Sequence, residues 1–290
     1  MMRRLALAVL LLLACGARQA VAQSISVPTM NLGTYTGTLL TPGSTPITSS
    51  CGFLETYDIG LSAGTGSGAT TTTRKMTGPG GATLSYQMFQ NSTHTTNWGD
   101  NYGTDTVDGT CTGGNQTSYI YPQAPAGQNV PPGTYTDTIT VTMPYYLLFL
   151  QLGTAQTTMT VTAVVLPNCQ LSAPSLSFGN YASVLIDATS NLSVTCTLTT
   201  TYNIGLNAGT ATGATVTNRS MIGPGSALLG YKLFRDSGHT ANWGNTVGTD
   251  TVSGTGTGLA QSVPVYGRIP AAEFATPGSY ADTITATITY

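Results

Sequence analysis

The chain repeats itself. Thr56-Tyr-Asp-Ile-Gly-Leu61 recurs as Thr201-Tyr-Asn-Ile-Gly-Leu206, and the shift of 145 residues then persists without a gap. Met76 matches Met221, Gly78-Pro79-Gly80 matches Gly223-Pro224-Gly225, Tyr86 matches Tyr231, and Phe89 matches Phe234. Asn97-Trp98-Gly99 matches Asn242-Trp243-Gly244, and Tyr135-Thr-Asp-Thr-Ile139 matches Tyr280-Ala-Asp-Thr-Ile284. Self-similarity at one fixed offset means two homologous domains in tandem, so any fold proposed for one copy must also serve the other. Each copy consists of short runs of Thr, Val, Ile and Tyr separated by Gly, Pro, Asn and Ser clusters, with no sustained period near 3.6 residues. The pattern predicts an all-β chain of two tandem immunoglobulin-like β-sandwich domains, each of roughly 125 to 145 residues.

The compartment follows from the first residues. Arg3 and Arg4 precede an unbroken apolar run from Leu5 to Ala14, and Ala20-Val21-Ala22 follows with small residues at cleavage spacing. This is the pattern of a secretory signal peptide over residues 1–22, with Gln23 as the first mature residue. Leu12-Leu13-Ala14-Cys15 also resembles a lipoprotein box, which would acylate Cys15 instead of removing it. The apolar run is too short to span a bilayer, and no later stretch approaches the ~20 apolar residues that a span needs. Loss of the leader removes Arg3, Arg4 and Arg18 from nine basic residues against eleven acidic ones, leaving a net charge of about −5. That balance lacks the basic footprint nucleic acid requires. With only 7% charged residues, the surface is expected to be neutral and rich in hydroxyls.

Of the five cysteines, Cys51, Cys111, Cys169 and Cys196 lie beyond the leader, and an even count in an exported chain reads as two disulfides. The count alone leaves three pairings open. Cys51 and Cys196 hold matching positions in the two copies, but Cys169 lies just upstream of Cys196, and Cys111 is what remains for copy one. The repeat therefore pairs Cys51 with Cys111 and Cys169 with Cys196. With no close Cys pair and only His94 and His239 to assist, neither a metal site nor a cofactor is expected.

The last segment alternates. Tyr280, Asp282, Ile284, Ala286, Ile288 and Tyr290 share one face while Thr283, Thr285, Thr287 and Thr289 share the other, which is a half-buried strand. The sequence reaches Tyr290 with no further strand to lie beside it, which would leave unpaired backbone groups and an apolar cleft. Ile284, Ala286, Ile288 and Tyr290 are accordingly expected to form one wall of an acceptor cleft. In copy one the equivalent strand, with Tyr135, Ile139, Val141, Met143 and Tyr145 on one face, is followed by a second alternating segment from Thr157 to Val165. Its Met159, Val161, Ala163 and Val165 would point inward and complete that sandwich from within.

Taken together, the paired cysteines, the Phe178-Gly179-x-Tyr181 turn, the Gly-x-Tyr-x-Asp-Thr-Ile strand and the terminal Tyr290 resemble the spore coat protein U domain of archaic chaperone-usher pili over nearly all of both copies. The resemblance implies pilin-type domains that lack a seventh strand, which the N-terminal segment of the next subunit supplies by donor-strand complementation. Thr157 to Val165, immediately before Cys169, resembles such a donor segment made internal. Only Gln23 to Val27 precede Pro28-Thr-Met-Asn-Leu-Gly33, the counterpart of Pro174-Ser-Leu-Ser-Phe-Gly179, so no donor strand fits at the expected mature start. A subunit that accepts a strand but gives none ends a fibre. The resemblance thus implies a two-domain tip adhesin of the Csu type, with a binding domain over residues 23–166 and a pilin domain over 167–290. It would pass through the periplasm to the pilus tip at the cell surface and serve attachment and biofilm formation. The implied partners are a periplasmic pilus chaperone, an outer-membrane usher, the next pilin subunit and a hydrophobic abiotic or host surface.

Between the two strands of copy one lies Pro144 to Gly153, which contains Tyr146, Leu147, Leu148, Phe149, Leu150 and Leu152. Alternation fails here, Pro144 should interrupt the ladder and Gly153 should close a turn, so the run reads as an apolar loop tip and a surface-binding site. Tyr145 matches Tyr290 and reads as core. Trp98 and Trp243 could stack on sugar rings, but their recurrence favours packing. Tyr102, Tyr119 and Tyr121 stand where copy two has Val247, Pro264 and Tyr266, and are weaker binding candidates. His94 and His239 recur without a nucleophile or orienting acid, and Asp105 and Asp108 lack an acid-base partner, so no enzyme is expected. A structural minor pilin or coat protein, and a lectin-like adhesin using Trp98 and the tyrosines, are the alternatives.

Overall fold

A computed structural model describes residues 23–290. The expected leader, Cys15 included, lies outside the described residues. The chain separates into two compact units, the first made of the described residues up to 128 with 133–165, the second of 129–132 with 166–290. Unit 1 holds β1 (Ser24–Ser26), β2 (Met30–Tyr35), β3 (Thr45–Ser50), β4 (Thr56–Leu61), β5 (Arg74–Thr77), β6 (Thr83–Phe89), β7 (Val107–Thr110), β8 (Asn115–Gln123), β9 (Gly133–Leu147) and β10 (Leu150–Val165). Unit 2 holds β11 (Cys169–Ser172), β12 (Ile186–Cys196), β13 (Thr201–Leu206), β14 (Arg219–Ile222), β15 (Leu228–Phe234), β16 (Val252–Thr255), β17 (Gln261–Ile269) and β18 (Ala286–Thr289).

Period-two patterning builds the core of unit 1. On β9, Tyr135, Asp137, Ile139, Val141 and Met143 are buried while the threonines between them face outward or lie half-buried, as alternation in a pleated strand requires. Ile47, Ile59, Leu61, Leu84 and Tyr86 of the same unit are fully buried as well. Trp98 is buried too, its indole N–H donating to the Ile59 carbonyl at 2.8 Å. Trp243 repeats this arrangement with the Ile204 carbonyl at 2.8 Å, so both tryptophans are packing residues. Beside each lies a buried arginine. Arg74 donates to the carbonyls of Ser62, Thr71, Leu61 and Trp98 at 2.7–2.8 Å, and Arg219 donates to those of Asn207, Val216, Leu206 and Trp243. Four charge-assisted bonds to backbone offset the cost of placing a guanidinium in the interior. The disulfides join Cys51 to Cys111 and Cys169 to Cys196, the latter across the β11–β12 ladder.

The difference between the copies lies at β10. In unit 1 it pairs antiparallel with β9 from Leu150↔Leu147 to Val165↔Gly133, and parallel with β2 from Val161↔Met30 to Val165↔Tyr35. The parallel ladder takes one bulge, where Gly33 sits at φ +87°, a conformation that disfavours any side chain. Met159, Val161, Ala163 and Val165 are all buried, and each larger one contributes on the order of 1.5–3 kcal/mol by leaving water. Unit 2 has no strand in the corresponding place among the described residues. Its sheets are β11-β12-β17-β15-β14 and β16-β13-β18. The counterpart of β2, residues 174–181, forms no ladder, and β18 spans four residues where β9 spans fifteen.

The inward and outward faces of β10 should respond differently to charge. We expect Val161→Asp, at a fully buried position, to destabilise unit 1 by several kcal/mol through an unpaired carboxylate in the core. Thr160→Asp, on the exposed face, should stay within about 0.5 kcal/mol of the parent. Denaturant unfolding of the full chain measures both; equal losses would show the register to be wrong.

Candidate functional site

Two features of the fold stand open to the surroundings, one in each unit. In unit 1, β9 and β10 form a hairpin whose tip, Leu147 to Leu150, runs past the end of β4 at the pair Thr56↔Tyr146. Leu147 pairs with Leu150 and Tyr146 with Gln151, leaving Leu148 and Phe149 as a two-residue turn. Both turn residues have positive φ, +49° and +71°, as the tight turns that match the twist of a hairpin demand. Asn-Gly is the usual choice there, because a side chain in that region costs roughly 1 kcal/mol or more per residue. This turn instead carries two large apolar side chains, 87% and 102% exposed. Leu150 and Leu152 are exposed beside them, Leu147 is marginally so, and Tyr146 is half-buried.

The expected loop is therefore a continued hairpin. β10 begins at Leu150, seven residues before the expected Thr157. Pro144 does not interrupt its ladder, being paired with Thr154. What it lacks, an N–H, shows on the other side: the β4–β9 ladder breaks between Tyr57↔Tyr145 and Gly60↔Thr142. Nor does Gly153 close a turn. It lies within β10 across from Tyr145, whose ring occupies the space a Cβ would need.

Sequence reasoning missed Phe53 and Leu54. β4 starts at Thr56, opposite Tyr146, so the loop from Cys51 to Glu55 sits at the same end of unit 1 as the hairpin. Phe53 and Leu54 are 56% and 61% exposed, Leu54 with φ +66°. The loop is held by the Leu54 N–H to the Cys111 carbonyl at 3.1 Å and by the buried Glu55 carboxylate, which accepts from the Gly52 N–H at 2.8 Å. A signal existed: copy two has Leu198-Thr199 where copy one has Phe53-Leu54. Tyr102 and Tyr119 are also exposed, and Tyr121 is half-buried in β8. Asp105 serves its own loop, accepting from the Asn101 N–H at 2.8 Å. Among the described residues no cluster of His, Cys, Asp or Glu could hold a metal ion.

Unit 2 contains a groove of about 480 Å³. One wall is Ala173 to Leu176 with Phe178, the other is Tyr280 to Ile284 with Ala286, and Leu206, Met221, Tyr231 and Leu233 form the floor. These walls are the counterparts of β2 and β9, so the groove occupies the place of β10. Tyr135, Ile139 and Val141 are fully buried in unit 1, whereas Tyr280, Ile284 and Ala286 are only partly so. Ile288 packs against the core beyond the groove. Tyr290 does not join the wall; it lies past the last ladder pair, Asn203↔Thr289, and is exposed.

A polar network anchors the groove. Asp282 accepts from the Tyr231 hydroxyl at 2.7 Å and from the Thr210 N–H and hydroxyl at 2.8 Å. Burial would raise its carboxyl, but these bonds and the Thr283 N–H outweigh it and hold the group below the ordinary carboxylate range. Burial and the same carboxylate push the Tyr231 phenol well above its usual value.

Both copies match one family model, over residues 6–142 and 155–287. The chain belongs to the Spore Coat Protein U domain family. A curated relative, Protein U of Myxococcus xanthus, is 35% identical over 128 residues, which is 40% of this chain and 71% of that protein. Among solved structures, this chain resembles the tip subunit in a chaperone-bound pre-assembly complex of the archaic Csu pili of Acinetobacter baumannii. The match has a TM-score of 0.54 and 18% identity, and covers 92% of this chain and all of that one. A tip adhesin of Pseudomonas aeruginosa, CupB6, is a more distant match at TM-score 0.42 and 11% identity, covering 93% and 96%. The likeness to the Csu subunit confirms the two-domain β-sandwich fold for this Spore Coat Protein U domain chain.

The depressed carboxyls give a pH dependence. Asp236 is lowered to about 2 by the N–H groups of Ala241 and Thr240, and Asp282 is lowered by its bonds to Tyr231, Thr210 and Thr283. Each folded value lies below the unfolded one of about 3.9, so the stability they contribute is complete above that pH and is lost as the pH falls toward 2. We expect the denaturant midpoint of unit 2 to be flat from about pH 5 to 7 and to drop below about pH 4. Asp282→Asn should flatten part of that drop; an unaltered slope would show that the Tyr231 and Thr210 bonds do not form.

Proposed function

We propose that this chain is the tip adhesin subunit of a chaperone-usher pilus, attaching to hydrophobic surfaces through unit 1 and joined to the fibre through unit 2. The observation that carries the reading is internal to the chain: one domain occurs twice, once with its strand in place and once with a groove where that strand would lie. A buried strand in unit 1 removes any need for a partner there. An apolar groove flanked by an unpaired strand edge calls for strand addition, and the next pilin subunit's N-terminal segment is the proposed donor. The expected route runs through the periplasm, with a chaperone holding the groove until an outer-membrane usher assembles the subunit. Attachment and biofilm formation are then the work of the other unit.

The adhesive surface is the hairpin turn with the loop beside it: Leu147, Leu148, Phe149, Leu150 and Leu152, with Tyr146 at its base and Phe53 and Leu54 alongside. Displacing water from such side chains yields ~25 cal/mol per Å² with no demand on the partner's stereochemistry. Binding should accordingly be broad and tolerant of salt. Trp98, the platform a glycan-reading alternative would use, is enclosed in the core. The positive φ of Leu148 and Phe149 supports the same reading, because stability alone would favour other residues there.

The discriminating test replaces the turn with residues its backbone prefers. We expect Leu148→Asn with Phe149→Gly to keep or raise thermal stability while cutting attachment of the piliated cells to polystyrene at least tenfold. Normal attachment would remove the turn from the adhesive surface. A separate measurement addresses the groove: a synthetic peptide of residues 155–166 should bind the full-length chain and raise the unfolding temperature of unit 2, whereas the same peptide with Val161→Asp should not. Equal behaviour of the two peptides would show that the groove does not take a strand.

A further inference from the structure

Unit 2 carries an apolar surface that unit 1 lacks. Ile222 on β14 stands opposite Leu228 on β15, and both are exposed; Phe274, in the segment after β17, is 92% exposed. The corresponding positions of copy one hold Thr77, Thr83 and Asn129. The backbone around them is built alike in both copies. The Tyr35 hydroxyl donates to the Pro125 carbonyl at 2.7 Å and accepts from the Gln128 N–H at 3.0 Å. The Tyr181 hydroxyl donates to the Pro270 carbonyl at 2.7 Å and accepts from the Glu273 N–H at 2.9 Å. What differs is the side chains set on that corner.

The patch extends from there. The Ala272 N–H donates to the Ser183 carbonyl at 3.0 Å, and the Ser183 hydroxyl to the Glu273 carbonyl at 3.3 Å. This brings exposed Val184 and Leu185 beside the segment that holds Phe274. The Glu273 carboxyl lies over Gly230, two residues along β15 from Leu228 and on the same face. Farther along that sheet come polar groups: Arg268, hydrogen-bonded to Asp187 at 2.7 and 2.8 Å, and its ladder partner Lys232. An apolar centre with a polar margin is the composition of a protein interface.

The groove shows which protein would sit there. In unit 1, β10 leaves its slot at Val165, opposite Gly133 on β9 and Tyr35 on β2. The counterparts in unit 2 are Gly278 and Tyr181. A strand lying along Tyr280 to Ala286 in the same register leaves the groove between those two residues. Tyr181 is the residue whose hydroxyl holds the Glu273 N–H, next to Phe274. The folded body attached to such a strand begins at this corner.

We propose that Val184, Leu185, Ile222, Leu228 and Phe274 form a docking surface for the folded domain that succeeds the donor strand in the neighbouring subunit. This deepens the reading of unit 2 as a strand acceptor and rests on it. The strand fastens the neighbour through one chain crossing, and the patch holds the neighbour's body against the groove mouth.

The test uses the full-length chain in the cells that assemble it, with Ile222→Thr, Leu228→Thr and Phe274→Asn, the residues of copy one. The readouts are the rate at which the neighbouring subunit recovered with the chain separates in denaturant, binding of the synthetic peptide 155–166, and recovery of the chaperone. Separation should be at least tenfold faster than in the parent, with peptide binding and chaperone recovery unchanged. Phe274→Asn alone, at an exposed side chain, should show a smaller effect of the same sign and keeps the test open if the triple variant folds poorly. Unchanged separation with intact peptide binding overturns the docking surface and leaves the groove reading standing. A parent chain that binds neither peptide nor neighbour overturns both. Loss of peptide binding in the variant would assign these residues to the groove, and loss of the chaperone alone would make the chaperone the occupant; either overturns the proposal.

Discussion

The ladder between β9 and β10 is the constraint on which the rest of the structure depends. β10 bonds on one edge to β9 and on the other to β2, so a single strand supplies partners for two others. Unit 2, with no strand in that place, bears the consequence. Residues 174–181 lose their ladder altogether, and the β9 counterpart contracts to Ala286–Thr289, the stretch still bonded to β13. Side chains that are fully enclosed in unit 1, such as Tyr135, Ile139 and Val141, become a half-open wall in unit 2 as Tyr280, Ile284 and Ala286. The remaining core does not depend on that ladder: Trp243 and Arg219 keep the bonds that Trp98 and Arg74 make.

A second tension sits at the turn of the hairpin. Leu148 and Phe149 break two local rules at once, since they place branched or aromatic side chains at positive φ and expose them fully. The backbone conformation costs stability, and side chains this exposed gain almost no burial to offset it. Violations of this kind concentrate where selection acts on something other than folding. Leu54 repeats the combination at the same end of the unit. Elsewhere unit 1 obeys the pattern closely, with threonines on the open faces of β9 and β10.

Much of this was legible in the sequence because strand alternation and an internal repeat are local signals. The offset of 145 residues located equivalent positions, and period-two patterning placed Val161 inward and Thr160 outward. The hairpin tip was harder. Pro144 and Gly153 are ordinary punctuation marks, and nothing local reveals that the missing N–H of Pro144 faces β4 rather than β10, or that Gly153 makes room for the Tyr145 ring. Phe53 and Leu54 escaped because their importance lies in the register Thr56↔Tyr146, a contact between segments ninety residues apart. The bounds of the last strand failed for a related reason: alternation from Tyr280 to Tyr290 reports a capacity to pair, and pairing itself needs a partner.

An open groove poses a folding problem, and the polar network of unit 2 bears on one of its walls. Apolar walls left without a strand would be expected to close on each other, because collapse removes apolar area from water. Asp282 ties the centre of one wall to Tyr231 on the floor and to Thr210. Its bonds to Tyr231 and Thr210 measure 2.7 and 2.8 Å, and the matching bonds of Asp137 to Tyr86 and Thr65, in the unit with its strand in place, measure 2.8 and 2.7 Å. The Asp282 anchor thus keeps the geometry of its counterpart, although residues 174–181 and most of the β9 counterpart lie outside any ladder. A wall segment already anchored has less freedom to lose, so more of the apolar and hydrogen-bond gain would remain as affinity for a strand of the proposed kind. Any rearrangement that pulled this wall from the floor would leave a half-buried carboxylate without its donors, which adds to the cost. One carboxylate therefore fixes the middle of a wall that, in unit 1, β10 also pairs along its length.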